Sequence, residues 1–106
     1  MLLRKFLNDM PVVAILRGLS PDEAVDVADV LVQAGIRSSE GPLTSPDPFV
    51  SIGKIAKAYG DRCLVGAGTV LRAEDVDRVA DAGGQIIVAP NFNAGVVSRA
   101  GALGLV

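Results

Sequence analysis

Three features of this 106-residue chain predict an α/β fold of parallel βα repeats. Short apolar runs alternate with amphipathic stretches, as in a parallel sheet covered by helices. Glycine closes each stretch. The join between a stretch and the run after it recurs as Ala34-Gly35, Ala82-Gly83 and Leu103-Gly104, a structural repeat with a period of a little over about twenty residues. Four units are present in the chain. A closed eightfold βα barrel takes about 250 residues, or about 200 at its most compact, so four units equal half of a (β/α)8 TIM barrel.

The first strand is expected at Val12-Val13-Ala14-Ile15-Leu16. Ahead of it, the segment Met1 to Met10 carries charges inside its apolar run, and no stretch reaches the roughly 20 apolar residues that span a bilayer. The first helix is announced by Ser20-Pro21-Asp22-Glu23: serine as N-cap, proline at the first helical position and glutamate completing a capping box. Ala24, Val27, Ala28, Leu31 and Val32 form its apolar face, and Gly35 can end it in the left-handed conformation. A weaker second strand runs from Ile36 to Leu43. The second helix spans about Pro48 to Tyr59, with Phe49, Ile52, Ile55, Ala56 and Tyr59 inward and Gly60 at its stop.

Cys63 to Gly68 is the third strand and Ala73 to Ala82 the third helix, built on Val76, Val79 and Ala80 and ending at Gly83-Gly84. After the fourth strand, Gln85 to Ala89, Asn93 caps a helix whose inward residues are Val96, Val97, Ala100 and Leu103. Gly95 and Gly101 make it the least stable of the helices. Leu105-Val106 begins a fifth apolar run, so the chain end reads as an interruption.

Composition narrows the chemistry. With 50% hydrophobic and 21% charged residues the chain is too apolar for disorder, and residues 1–106 are expected to form one domain. Ten Lys and Arg against twelve Asp and Glu give a net charge of −2, which disfavours nucleic acid and anionic lipid as partners. With Cys63 alone and no histidine, the usual zinc sets and histidine-based triads cannot be assembled. The expectation is a cytoplasmic protein with no metal and no cofactor.

Ligands of parallel βα folds bind at the carboxyl ends of the strands. Arg17-Gly18, Glu40, Gly66-Ala67-Gly68-Thr69 and Pro90-Asn91 occupy those places. Alternation puts Ile36, Ser38, Glu40 and Pro42 on one face of the second strand and Arg37, Ser39, Gly41 and Leu43 on the other. Glu40 is then either an edge charge in water or a desolvated general acid/base. Arg17 is either a surface partner of Asp22 or an anion binder. Gly66-x-Gly68 lacks the third glycine of a dinucleotide loop and reads as close backbone packing. Cys63 reads as a small core residue.

Together, Val13-Ala14-Ile15-Leu16-Arg17-Gly18, Ser20-Pro21-Asp22-Glu23-Ala24, Glu40-x-Pro42-Leu43-x-Ser45-Pro46, Gly60-Asp61, Val65-Gly66-Ala67-Gly68-Thr69-Val70-Leu71 and Ile86-Ile87-Val88-Ala89-Pro90-Asn91 resemble the bacterial 2-dehydro-3-deoxy-6-phosphogalactonate aldolases, within the KDPG/KHG aldolase family. The resemblance covers nearly the whole chain in order and register. It implies a class I aldolase on a (β/α)8 barrel, which splits a 2-keto-3-deoxy-6-phospho sugar acid into pyruvate and glyceraldehyde 3-phosphate through a lysine Schiff base. By position it makes Glu40 the general acid/base, Arg17 a substrate-binding arginine, Thr69 the hydroxyl that helps hold the pyruvate carboxylate, and Pro90 part of the pocket wall.

Departures from the family pattern set further expectations. The family's lysine lies on a sixth strand and its phosphate loops near strands seven and eight, and Lys5, Lys54 and Lys57 do not match that lysine. Little or no turnover is expected of the chain alone. Ser39 and Gly41 stand where the family has apolar residues, which is expected to weaken the second strand by about 2–5 kcal/mol per lost aliphatic side chain. Thr44 stands where the family usually has asparagine. Open sheet edges imply self-association, two copies closing a four-plus-four barrel. The alternative is a flavodoxin-like sheet that binds an anion or a protein without catalysis, against which stands the single glycine of Arg17-Gly18-Leu19-Ser20.

Overall fold

The computed structural model describes residues 2–106. Along the chain run α1 (Leu2–Leu7), β1 (Val13–Ile15), α2 (Ala24–Gln33), β2 (Ser38–Pro42), α3 (Pro48–Tyr59), β3 (Leu64–Gly68), α4 (Ala73–Asp81), β4 (Ile86–Ile87) and α5 (Ala94–Ala102). Only α1 was not anticipated. Met1, the first residue of the N-terminal apolar run, lies outside the described residues. No helix among the described residues is long and apolar enough to cross a membrane.

The strands form one sheet in the order β1-β2-β3-β4, every pair parallel. Each strand thus lies beside its predecessor in sequence, as in a TIM-barrel-type fold, and the strand-order reversal of a flavodoxin-like sheet is absent among the described residues. The fifth apolar run has also started to pair. Val106 N–H donates to the Gln85 carbonyl at 3.0 Å and Ile87 N–H donates to the Val106 carbonyl at 2.7 Å, a parallel rung on the far side of β4.

The recurrent joins share one geometry. Gly35, Gly83 and Gly104 have φ of +97°, +93° and +75°. At each, the next residue's N–H reaches back five residues (Ile36 to Leu31, Gly84 to Val79, Leu105 to Ala100), which satisfies helix carbonyls in a Schellman motif. A side chain at φ above zero is disfavoured, so the repeat seen in sequence is a repeat of this turn. α3 ends differently, since Gly60 keeps a helical φ of −62°.

The start of α2 differs from the expectation. Ser20 does not cap it; a turn over Pro21–Glu23 comes first and the helix begins at Ala24. Only half of the capping box forms, with Ser20 N–H donating to Glu23 Oε1 at 3.0 Å. The Ser20 hydroxyl turns instead to the Asp22 carboxylate and lowers its pKa. In α5, Asn93 does cap, its Oδ1 accepting from Val96 N–H at 3.1 Å, an arrangement worth about 1 kcal/mol. Val97, expected inward, is 55% exposed, because the helical period turns it away from α4 toward the open side of β4.

The core lies between sheet and helices in two clusters. Ala24, Ala28, Ile55, Tyr59, Cys63 and Val65 pack under α2 and α3, with the Tyr59 hydroxyl donating to Asp29 at 2.7 Å. Ile52, Ala67, Val70, Val76, Val79 and Val96 pack under α3, α4 and α5. Burial raises the Cys63 thiol pKa, which fits its reading as a core residue.

Despite Ser39 and Gly41, β2 is a regular strand, paired with β3 from Ser38↔Leu64 to Pro42↔Gly68. A Cβ at Gly41 would stand 3.4 Å from Ile52 Cγ1, so Ile52 already fills that space. Backbone ladders on both sides hold a strand whose side chains have shrunk. Beside Ser39 a cavity of about 10 Å³ remains, lined by Ala28, Ile55, Tyr59 and Val65 among others. Ser39→Thr is therefore expected to raise the urea midpoint by an amount equivalent to about 1 kcal/mol, the worth of one added buried methyl group. A lowered midpoint would show that the gap is too tight to fill.

Candidate active site

The rim is built on β2, one of the two inner strands of the sheet. Alternation along it turns Ser38, Glu40 and Pro42 away from the helices, and Glu40 is only 5% exposed. Its carboxylate lies against Gly68 at the end of β3, where any Cβ would overlap it. Gly66 is equally crowded by the backbone of Ile86 on β4. The two glycines thus serve close packing, as expected. Desolvation by burial raises the pKa of Glu40 above the ordinary glutamate range, and the nearby Arg17 charge opposes that shift. Glu40 Oε2 has no hydrogen-bond partner among the described residues.

Arg17 follows β1, and its surroundings come from β2 and the loop behind it. Leu16 N–H donates to the Glu40 carbonyl at 3.0 Å, extending the β1–β2 ladder. Gly18, at φ +82°, turns its N–H to Ser45 Oγ at 3.0 Å. Arg17 Nη1 donates to Thr44 Oγ1 at 3.0 Å. The guanidinium thus bonds to Thr44, and no ion pair with Asp22 forms among the described residues.

Thr69 comes directly after Gly68 and is half-buried in the left-handed region at φ +55°, a strained position for a β-branched residue. Val70 N–H donates to the Val88 carbonyl at 3.2 Å and ties this turn to the exit of β4. Pro90 lies beyond β4 and is exposed, next to Phe92 at 80% exposure. Arg17 is thus close enough for its charge to act on Glu40 without forming an ion pair among the described residues, Thr69 stands just past the glycine under the carboxylate, and Pro90 is on an open loop.

The lysines are elsewhere. Lys54 donates to the Pro21 carbonyl at 3.1 Å, and with Lys57 it lines a groove between α2 and α3 on the helix side. Lys5 borders a hollow with Met10, Gly35 and Arg62, at the amino-terminal end of the strands. No three His, Cys, Asp or Glu side chains gather into a metal-holding cluster among the described residues. Sequence reading missed Thr44 and Ser45 as parts of this site. Their signal was present, since both fall within the Glu40-x-Pro42-Leu43-x-Ser45-Pro46 stretch.

A protonatable carboxyl with a free oxygen, within the field of a guanidinium, can move a proton next to a bound anion. Comparison with known proteins gives this geometry a context. The family model described as KDPG and KHG aldolase matches residues 3–104. A probable 2-dehydro-3-deoxy-6-phosphogalactonate aldolase of Rhizobium meliloti is 46% identical over 98 residues, covering 92% of this chain and 46% of that protein. The 2-dehydro-3-deoxy-6-phosphogalactonate aldolase of Escherichia coli is 47% identical over 96 residues, covering 91% and 47%. A solved structure described as native KDPGal superposes with a TM-score of 0.88 at 47% identity, again covering 91% and 47%. The chain spans about half the length of the curated relatives that it matches.

Proposed function

Because the chain belongs to the KDPG and KHG aldolase family, we propose that it supplies the acid/base half of a class I aldolase site for a 2-keto-3-deoxy-6-phospho sugar acid. The relatives at 46% and 47% identity favour 2-dehydro-3-deoxy-6-phosphogalactonate as that acid. One observation carries the reading: Glu40, 5% exposed against Gly68, keeps an unpartnered oxygen, and the charge of Arg17 acts on its carboxyl. Burial makes its carboxyl a better proton carrier near neutral pH than an exposed glutamate.

In this reading Glu40 gives a proton to the departing hydroxyl of a carbinolamine. It later takes the proton from the sugar hydroxyl as the adjacent carbon–carbon bond breaks, with the bond's electrons passing into the iminium. Arg17 and the Thr69 hydroxyl hold the keto-acid carboxylate, and Pro90 gives an apolar wall. The Schiff-base amine is not among the rim residues, since Lys5, Lys54 and Lys57 stand away from it.

The test is intact-mass measurement after incubation with pyruvate and borohydride, alone and with a polypeptide supplying the second half of the E. coli relative. Alone, the chain is expected to keep its unmodified mass. In the mixture, the adduct is expected on the added polypeptide, with pyruvate released from 2-dehydro-3-deoxy-6-phosphogalactonate. An adduct on this chain, or a mixture without turnover, would overturn the reading.

Self-association belongs to the same proposal. β1 is one outer strand, with Ile15 64% exposed; beyond β4 only the rung to Val106 has formed, and an apolar groove of about 320 Å³ runs along Ile87, Val97 and Leu105. Two copies joined edge to edge would close a four-plus-four barrel. A monomer mass by light scattering at every accessible concentration would refute it.

A further inference from the structure

We propose that Thr44 and Ser45 are positioning residues, a clasp from the loop after β2 that holds Arg17 in place to receive a carboxylate; the carboxylate role rests on the function proposed above. β1 has a sheet neighbour on one side only, so the loop leaving it depends on β2 for support. That support comes at three consecutive residues. Leu16 N–H is bound by the Glu40 carbonyl, the Arg17 side chain by the Thr44 hydroxyl and Gly18 N–H by the Ser45 hydroxyl, each at 3.0 Å. Ser45 is itself anchored, being 8% exposed with its N–H donating to the Pro42 carbonyl at 3.0 Å.

The chemistry of arginine gives this arrangement its use. A guanidinium has five N–H donors in a planar fork, and an exposed one samples many rotamers. Thr44 takes a single donor on Nη1, which leaves the others for a carboxylate. A side chain already held in the bound position loses less freedom when the anion arrives. The clasp comes from the strand that carries Glu40, so it sets Arg17 and the acid/base carboxyl in one frame.

The experiment compares the wild-type chain with Thr44→Val, which keeps the shape and removes the hydroxyl, with Thr44→Ser, which restores it, and with Ser45→Ala. Two properties are read by NMR: the order of the Arg17 Nε–H group, and the affinity for pyruvate followed at the Gly18 amide. Thr44→Val is expected to loosen Arg17 to the mobility of an unattached surface arginine and to weaken pyruvate binding about threefold to tenfold, the worth of one ordinary hydrogen bond. Thr44→Ser is expected to restore both. Ser45→Ala is expected to speed hydrogen exchange at Gly18. Unchanged Arg17 order in Thr44→Val, with pyruvate still bound, overturns the clasp and leaves the function proposal standing. An ordered Arg17 in a wild-type chain that gives no pyruvate response, alone or with the second-half polypeptide added, overturns the carboxylate role, and the function proposal with it.

Discussion

Gly66→Ala is expected to be the most damaging single-methyl change in this chain. A Cβ there would overlap the Ile86 carbonyl oxygen and stand 2.7 Å from the Ile86 nitrogen. Both atoms belong to the backbone of the paired strand, so no rotamer change relieves the clash. Overpacking a core by such a group costs about 1–3 kcal/mol where side chains can yield, and more is expected where they cannot. Against a total stability of roughly 5–15 kcal/mol, a loss of about 3 kcal/mol or more removes a large share of the folded state's advantage. Gly41→Ala is the matched control on the neighbouring strand, since its Cβ would meet nothing nearer than Ile52 Cγ1 at an ordinary 3.4 Å. Urea unfolding of the two variants separates them. A loss below about 1 kcal/mol for Gly66→Ala would mean that β4 yields easily and that the close approach of the two strands is not essential.

Glu40→Gln is expected to move stability and catalysis in opposite directions. Burial raises the carboxyl's pKa in the folded chain, with Arg17 only partly offsetting it. The folded state therefore holds the proton more tightly than the unfolded state. Glu40's favourable contribution is complete below the ordinary glutamate pKa of 4.5 and is lost as pH rises through the folded-state value. At neutral pH an ionised Glu40 is a burden on the fold. Glutamine has the same shape and no charge, so this variant is expected to melt higher than wild type at pH 7. The two are expected to converge in acid. In the combined preparation used to test aldolase turnover, the same variant is expected to lose about 10²–10⁴-fold in rate, as for loss of a general acid/base. A lower melting temperature at pH 7 would contradict the desolvated carboxyl, and unchanged turnover would remove Glu40 from the mechanism.

The four candidate residues were singled out because each follows or occupies an apolar run, and in parallel βα folds that position lies at the ligand-binding rim. Their surroundings were less accessible. Whether Arg17 faced Asp22 or the rim was open on spacing alone, because either partner lies within reach of a long side chain. Folding brought Thr44, distant in sequence, to 3.0 Å, and no ion pair with Asp22 forms among the described residues. Val97 shows the same limit. Its helical spacing marked it as inward, yet α5 packs mainly against α4, and the residue stands exposed beside β4.

What the amino-acid order determined by itself is what short-range physics controls. Apolar periodicity set the strands and helices, glycine at positive φ ended α2, α4 and α5, and Asn93 capped α5, all through contacts a few residues apart. The regularity of β2 despite Ser39 and Gly41, the raised pKa of Glu40 and the clasp on Arg17 were decided only by the tertiary structure. Each depends on how closely segments far apart in the chain approach, and desolvation, cavity filling and hydrogen bonding between loops all vary steeply with that distance.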